Sequence, residues 1–214
     1  MSRKTFTFEI LLIAVALTAT WAAWPHLPEL IPTHWDLDGQ ADHVGPRWAI
    51  ILIGPGSMAA IMLLTWLLPW LAPKNFQIEA FQPTYHTVMR VAFCMMAYFF
   101  AAQLWAALGH PTDAVGAILG GACLFTALIG NLMGKVRRNF FIGIRTPWTL
   151  SNEHVWNATH RFAGRTMVAG GLAGLVLTIC GLHPWAIFCL LAGTLAPVMY
   201  SLVIYKQLER RGAL

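Results

Sequence analysis

The chain has 214 residues, of which 57% are hydrophobic and only 11% are charged, and its formal net charge is +5. Soluble domains carry about a quarter charged residues, so this composition excludes an ordinary soluble fold and indicates a protein embedded in a membrane. The basic residues lie in short segments between apolar runs. Attraction to anionic headgroups explains that placement better than nucleic acid does, and we expect no nucleic-acid partner.

Six apolar runs approach the roughly 20 residues that a helix needs to cross the hydrocarbon core. They cover residues 6–24, 48–71, 91–108, 115–133, 166–182 and 185–205. We therefore predict an all-α membrane protein, a bundle of about six transmembrane helices. We divide it into an N-terminal two-helix unit, residues 1–72, and a four-helix unit, residues 73–214, which contains a long polar segment at 134–165.

The distribution of cations predicts the orientation. If the N-terminus is cytoplasmic, every lysine and arginine except Arg47 falls on the inner side. Positive charge on the cytoplasmic side is the rule for short loops. The sequence thus predicts a multi-pass protein of the bacterial inner membrane, with the N-terminus and the C-terminus both in the cytoplasm.

Small residues at a spacing of four occur in the fourth and fifth spans, for example Gly130 and Gly134, and Gly170 and Gly174. Such pairs allow helix backbones to approach closely in a membrane. We expect these glycines to be packing positions.

The first polar interruption, residues 25–47, is predicted to lie outside. Three prolines favour an extended chain, and Asp38-Gly39 indicates a turn. Imidazole and carboxylate groups gather here, so His34, Asp36 and His43 are candidate metal ligands. Their spacing matches no metal signature, which favours a solvated acidic loop, and we predict no metal site.

The second interruption leads into the fifth span. Gly143 and Thr146-Pro147 resist helix, and Thr149 or Ser151 is predicted to cap a helix that continues without a break into the membrane. One face of this helix carries Glu153, Trp156, His160 and Gly164, beside a stripe formed by His154 and Arg161. This face is either a site for a polar ligand or a structural lock that closes on Arg137, Arg138 and Arg145; the lock is the favoured interpretation.

The residues from Gly130 to Trp156, with Lys135-Val136-Arg137-Arg138-Asn139 and Arg145-Thr146-Pro147-Trp148 at their centre, closely resemble the signature of the SdpI family of bacterial membrane proteins. Ile31-Pro32-Thr33-His34-Trp35, followed by Gly39 and Asp42, resembles an uncharacterised domain that often precedes it. The resemblance implies immunity to a secreted, membrane-active peptide toxin, coupled to capture of a cytoplasmic repressor. The residues it implies for binding or signalling are Asn131, Lys135, Arg137, Asn139, Phe141, Gly143, Arg145, Thr146, Pro147, Trp148, Thr149, Asn152, Glu153, Trp156, His160 and Arg161, with His34, Trp35, Gly39 and Asp42 in the outer segment.

The leading hypothesis is therefore a non-enzymatic immunity and signal-transduction protein that recognises a peptide toxin and reports through its inner segment. One alternative is an intramembrane enzyme, in one version metal-dependent, that uses the His, Asp and Glu groups. A second is a small transporter whose pathway runs between Glu9 and the inner segment. Because the sequence contains no nucleotide, phosphate-loop or nucleophile motif, we predict no cofactor. A homo-oligomer stays open.

Overall fold

A computed structural model describes residues 3–36, 39–74, 78–110 and 113–213, without the side chains of residues 3 and 4. Six helices in these ranges are long and apolar enough to cross a membrane. The predicted all-α, multi-pass bundle is thereby confirmed. In chain order the elements are α1 Arg3–Ala23, β1 Leu30–Trp35, β2 Ala41–Pro46, α2 Ala49–Leu71, α3 Gln82–Ala107, α4 Ala114–Met133, the short α5 Pro147–Ser151, α6 Glu153–Ile179 and α7 His183–Arg210.

Two helices begin earlier than the apolar runs predict. Helix α3 begins at Gln82 rather than near residue 91. Helix α6 begins at Glu153, ahead of its apolar run, and continues to Ile179, which confirms the predicted unbroken helix from the polar segment into the fifth apolar run. Both extra stretches contain polar residues that lower the hydropathy of a window without interrupting a helix. The cap of α6 is Asn152, whose Oδ1 accepts from the N–H groups of His154 at 2.8 Å and Val155 at 3.1 Å. The prediction that Thr149 or Ser151 caps this helix was wrong.

Glycines bring α4, α6 and α7 together. A Cβ built on Gly164 in α6 would lie 3.2 Å from the carbonyl oxygen of Gly130 in α4, and one on Gly170 would lie 3.0 Å from Cα of Gly193 in α7. These backbones therefore touch where a side chain would separate them. The predicted packing role is confirmed at Gly130, Gly170 and Gly174, whereas Gly134 is exposed at the end of α4, where an added Cβ would meet only the Arg161 side chain.

Helices α1 and α2 pack on α3 around a core that includes Ile50, Met58 and Phe93. In the sequence, α1 and α2 are separated by an antiparallel hairpin, residues 30–46, in which Leu30 pairs with Pro46 and Ile31 with Gly45. Ile31 is fully buried in the same core, and Nε2 of Gln103 in α3 donates to the carbonyl of Pro32. The hairpin adds two strands to a fold predicted as helical with an extended outer loop.

The two polar interruptions lie at opposite ends of the bundle, because six spans alternate in direction. The hairpin contacts the C-terminal part of α3, whereas residues 134–152, here called the motif segment, lie at the end where α1 begins and α7 ends. Trp148, for example, bonds to Ser201 near the end of α7. This relative placement agrees with the sequence-based topology; which end faces the cytoplasm stays a prediction, as does the division into two units at residue 72.

Candidate functional site

The motif segment is built around the buried side chain of Asn139. Its Nδ2 donates to the carbonyls of Arg137 at 2.8 Å and Ile142 at 2.9 Å, and its Oδ1 accepts from the N–H groups of Phe141 at 2.8 Å and Ile142 at 2.7 Å. Asn139 is 0% exposed. One amide therefore satisfies the backbone groups that an irregular buried loop would otherwise leave unpaired.

His160 of α6 holds the next turn of the segment. Its Nε2 accepts from the N–H of Ile144 at 3.0 Å, and its Nδ1 lies 2.8 Å from the carbonyl of Trp156. A carbonyl requires a donor and an N–H requires an acceptor, so the imidazole is neutral with its proton on Nδ1. Gly143 has φ +113°, and a Cβ built on it would overlap Nε2 of His160. Only glycine fits here, because the backbone both turns and approaches the ring.

Thr146 and Thr149 form the start of α5. Each hydroxyl accepts from the N–H of the other residue, at 2.9 Å for Thr146 N and 3.3 Å for Thr149 N. This is a capping box in which threonine replaces the usual acidic partner. Pro147 occupies the first turn, where its missing N–H costs nothing. The fully buried Thr149 hydroxyl also lies 2.8 Å from the carbonyl of Ile144, which links α5 to the turn held by His160.

Two tryptophans fasten the segment to the helices. Trp156 is 0% exposed, donates from Nε1 to the carbonyl of Val136 at 2.8 Å, and stacks on His160 with ring centroids 4.0 Å apart. Trp148 donates from Nε1 to Oγ of Ser201 in α7 at 2.5 Å. The segment is therefore tied to α6 through one indole and to α7 through the other.

The arginines of the segment bond to carbonyls. Arg138 donates to Leu150 at 3.1 Å, and Arg145 donates to Phe140 at 2.7 Å. Within the described residues, neither Arg137 nor Arg145 forms an ion pair with a carboxylate, and Glu153 is exposed. We predicted a network of hydrogen bonds and ion pairs between the α6 face and these arginines. The bonds of Arg138 and Arg145 go instead to backbone carbonyls outside α6, so the choice between a lock and a ligand site stays a prediction.

The motif residues thus divide into two sets. One set is buried or half-buried and shapes the segment: Asn139, Phe141, Gly143, Thr146, Trp148, Thr149, Asn152, Trp156 and His160. The other set is exposed on the same end of the bundle: Asn131, Lys135, Arg137, Arg145, Pro147, Glu153 and Arg161. Ser201 and the carbonyl of Val136 complete the site, yet no sequence pattern marks them, because their role depends only on which helices meet.

The outer candidates lie in the hairpin and do not reach the motif segment. Nδ1 of His34 lies 2.6 Å from Oδ1 of Asp42, and the hydrogen bond from His34 holds the pKa of Asp42 below its ordinary value. Gly39 has φ +80° in the turn. His34 and Trp35 line a cavity of about 290 Å³ against α3 and α4.

The candidate metal ligands of the hairpin have other partners. Oδ1 of Asp36 accepts from the N–H of Gln40 at 2.8 Å, and the rings of His34 and His43 are 6.4 Å apart. Among the described residues, no three His, Cys, Asp or Glu side chains come together as a metal site. Asp38, which with Gly39 is predicted to form the turn, lies outside the described residues.

Comparison with known proteins agrees with this geometry. Residues 135–205 match the model of the SdpI/YfhL protein family, and residues 10–59 match a domain of unknown function (DUF1648). The C-terminal third of the chain is thus similar to the SdpI/YfhL protein family. It is 26% identical over 176 residues to the Immunity protein SdpI of Bacillus subtilis (strain 168), a match that covers 82% of each chain. No solved structure matches the chain.

These matches confirm the resemblance seen in the sequence. The family match begins at Lys135, so it covers nearly the whole motif segment together with α5, α6 and most of α7. The second match covers most of α1, the hairpin and the first half of α2. Both polar interruptions of the bundle therefore fall within matched regions, while α3 and α4 lie between them.

Proposed function

We propose that this multi-pass membrane protein confers immunity to a membrane-active peptide toxin and transmits the encounter through the motif segment. The observation that carries the proposal is the similarity to the Immunity protein SdpI along 82% of the chain, including the whole motif segment. The geometry adds that this segment is a defined structure with an exposed basic surface. A cytoplasmic repressor is the partner we propose for that surface.

Helix α3 supplies the physical connection between the two ends. Its C-terminal part contacts the hairpin through Gln103, and its N-terminal part packs against the motif segment through Tyr85 and the preceding Phe81, which share a core cluster with Val136 and Trp156. A displacement of the hairpin end by a bound peptide would therefore be felt at the motif segment through one rigid helix. Contact alone does not establish coupling, so the experiment has to measure both ends.

The orientation is tested by labelling. In a variant whose four native cysteines are serine, we expect a cysteine at Ser151 to be protected from a membrane-impermeant maleimide in intact cells, and a cysteine at Gln40 to react. Both positions are exposed, so the difference reports the side of the membrane. Reaction at Ser151→Cys with protection at Gln40→Cys would invert the topology and remove the cytoplasmic partner.

Immunity is tested by survival. The chain is expressed in a Bacillus subtilis host that lacks its own Immunity protein SdpI, and the cells are challenged with the secreted peptide toxin. We expect the wild-type chain to protect, and Trp148→Ala to lose protection because the segment is released from Ser201. Trp70→Ala is the matched control, since Trp70 is 80% exposed at the end of α2.

Arg145→Ala separates the two parts of the function. Its side chain is exposed, so we expect normal membrane levels but weaker recruitment of a fluorescent repressor fusion to the membrane. If cells that express the wild-type chain survive no better than cells with an empty vector, immunity against the toxin used is rejected. Protection with no recruitment in any variant would reject the signalling part alone.

A further inference from the structure

A cleft of about 730 Å³ lies beside the motif segment. Its walls are the start of α3, the residues that follow α4, and the first turns of α6. Four of the lining side chains are basic: Lys135, Arg137, His154 and Arg161. The described lining residues include no carboxylate, and the cleft volume falls within the roughly 300–1,000 Å³ typical of small-ligand sites.

The positive charge of this cleft is not neutralised by the part of the chain that the structure describes. The ion pairs there are His34–Asp42, His183–Asp113 and Lys206–Glu209, and none involves a cleft residue. Glu79 and Glu153 are near in sequence, but both are exposed and neither lines the cleft. Cations brought together without counter-charge raise the local potential and attract an anion.

Neutral groups in the cleft also suit an anion. Thr84 and Asn157 line it, and each offers a hydrogen-bond donor. Helices α3 and α6 both start at the cleft, and the positive ends of their dipoles outnumber the negative end that also lies there, that of α4 beside Gly134. Phosphate groups are the anions that such helix starts and arginines bind most often, because both present N–H donors to oxygen.

The position of the cleft relative to the membrane determines which phosphate-bearing molecules can reach it. Lys135 follows the span Ala114–Met133 by two residues, and Arg161 lies five residues before the apolar run 166–182 of α6. The cleft therefore lies where headgroups meet the hydrocarbon core, the position at which basic pockets between helices hold anionic lipid. We propose that this cleft binds the phosphate of an anionic phospholipid from the leaflet at the motif end, with Arg137 and Arg161 as its main ligands.

The experiment uses the full chain purified in a neutral detergent. Thermal unfolding midpoints are measured against increasing short-chain phosphatidylglycerol, phosphatidylcholine of the same chain length, and inorganic phosphate. We expect phosphatidylglycerol to raise the midpoint by several degrees and the other two to have little effect. In Arg137→Gln/Arg161→Gln the concentration needed should rise by at least about tenfold, since two charge-assisted hydrogen bonds are lost.

The control is Arg210→Gln/Arg211→Gln, which removes the same charge from exposed positions at the end of α7 and should respond like the wild type. Lys135→Gln/Arg161→Gln is a second cleft variant, measured in case the first does not fold. An equal response of cleft and control variants would overturn the proposal. Stabilisation by inorganic phosphate without a further effect of lipid would also overturn it, in favour of a soluble phosphate-bearing ligand.

Discussion

The motif segment and the hairpin are both polar and proline-containing, yet they are held by different means. In the motif segment, the buried side chains of Asn139, Thr149 and His160 supply the hydrogen bonds that regular structure would supply elsewhere. In the hairpin, the backbone ladder does this, and the His34–Asp42 pair remains on the surface with side chains 65% and 41% exposed. One region depends on particular side chains for its shape, and the other does not.

This difference changes how the resemblance to the family should be interpreted. Most motif residues that define the signature are needed to fold an irregular loop against α6, so their presence identifies the scaffold and not the contact surface. The residues available to bind a protein partner or a lipid are the exposed cations Lys135, Arg137, Arg145 and Arg161. In the hairpin the residues that resemble the preceding domain do not shape the strands. Their side chains are therefore available for recognition.

The largest effect is expected at one of two glycines that both have a positive φ. Gly143→Ala should lower the free energy of unfolding by about 4 kcal/mol, because strain adds to loss of the buried Ile144–His160 hydrogen bond. Gly39→Ala, with φ +80° but nothing within 4 Å of the new Cβ, should cost only about 1 kcal/mol. Chemical unfolding in detergent measures both. Equal costs would mean that the motif segment is no more tightly determined than the hairpin turn.

The next test removes the central amide. Asn139→Ala leaves two N–H groups and two carbonyls of a buried loop without partners, so we expect a loss of about 3 kcal/mol. Asn131→Ala, the same change at an exposed position of α4, should stay within about 0.5 kcal/mol of the wild type. Limited proteolysis adds a local readout, since only Asn139→Ala should expose the motif segment to cleavage. Resistance of both variants would contradict a structural role for Asn139.

The same contrast explains how far the sequence alone determines this structure. The six spans follow from apolar runs of sufficient length, and the close approach at Gly130 and Gly170 follows from small-residue spacing. The hairpin was not predicted, because Leu30, Pro32 and His34 do not alternate with their neighbours as apolar and polar residues do in a strand. The start of α3 at Gln82 was not predicted, because Tyr85, His86 and Arg90 lower the hydropathy of that stretch.

Within the site, local chemistry was predictable and distant partners were not. Trp156 and His160 on one face of α6 predicted a lock, since their spacing places them together, and Trp148 precedes them in α5. Their partners are the carbonyl of Val136, the N–H of Ile144 and the hydroxyl of Ser201. Two are backbone groups, which every residue has, and the third is a serine 53 positions from Trp148. Within the described residues Arg137 and Arg145 form none of the predicted ion pairs, because charge shows that a partner is needed, but not that it must be a carboxylate.

A smaller effect is expected at the fastening to α7. Trp148→Phe keeps the ring and removes the donor to Ser201, which should cost about 1 kcal/mol. Ser201→Ala should cost a similar amount, and the double variant little more than either, because both remove one hydrogen bond. Unfolding of the four proteins in detergent gives the coupling energy. Strict additivity would show that the two groups act independently.

The smallest effect should come from the hairpin pair, and it should appear only in acid. The hydrogen bond from His34 lowers the pKa of Asp42, so any stabilisation it gives is present above the ordinary aspartate pKa of about 3.9 and is lost as the pH falls through the lowered value. His34→Ala should return the pKa of Asp42 toward about 3.9, as measured by carboxyl NMR titration. At neutral pH the unfolding midpoint should not change, because an exposed pair contributes little. An unchanged Asp42 titration in His34→Ala would show that the pair does not form, and a large shift of the midpoint at neutral pH would show that the hairpin, like the motif segment, depends on its side chains.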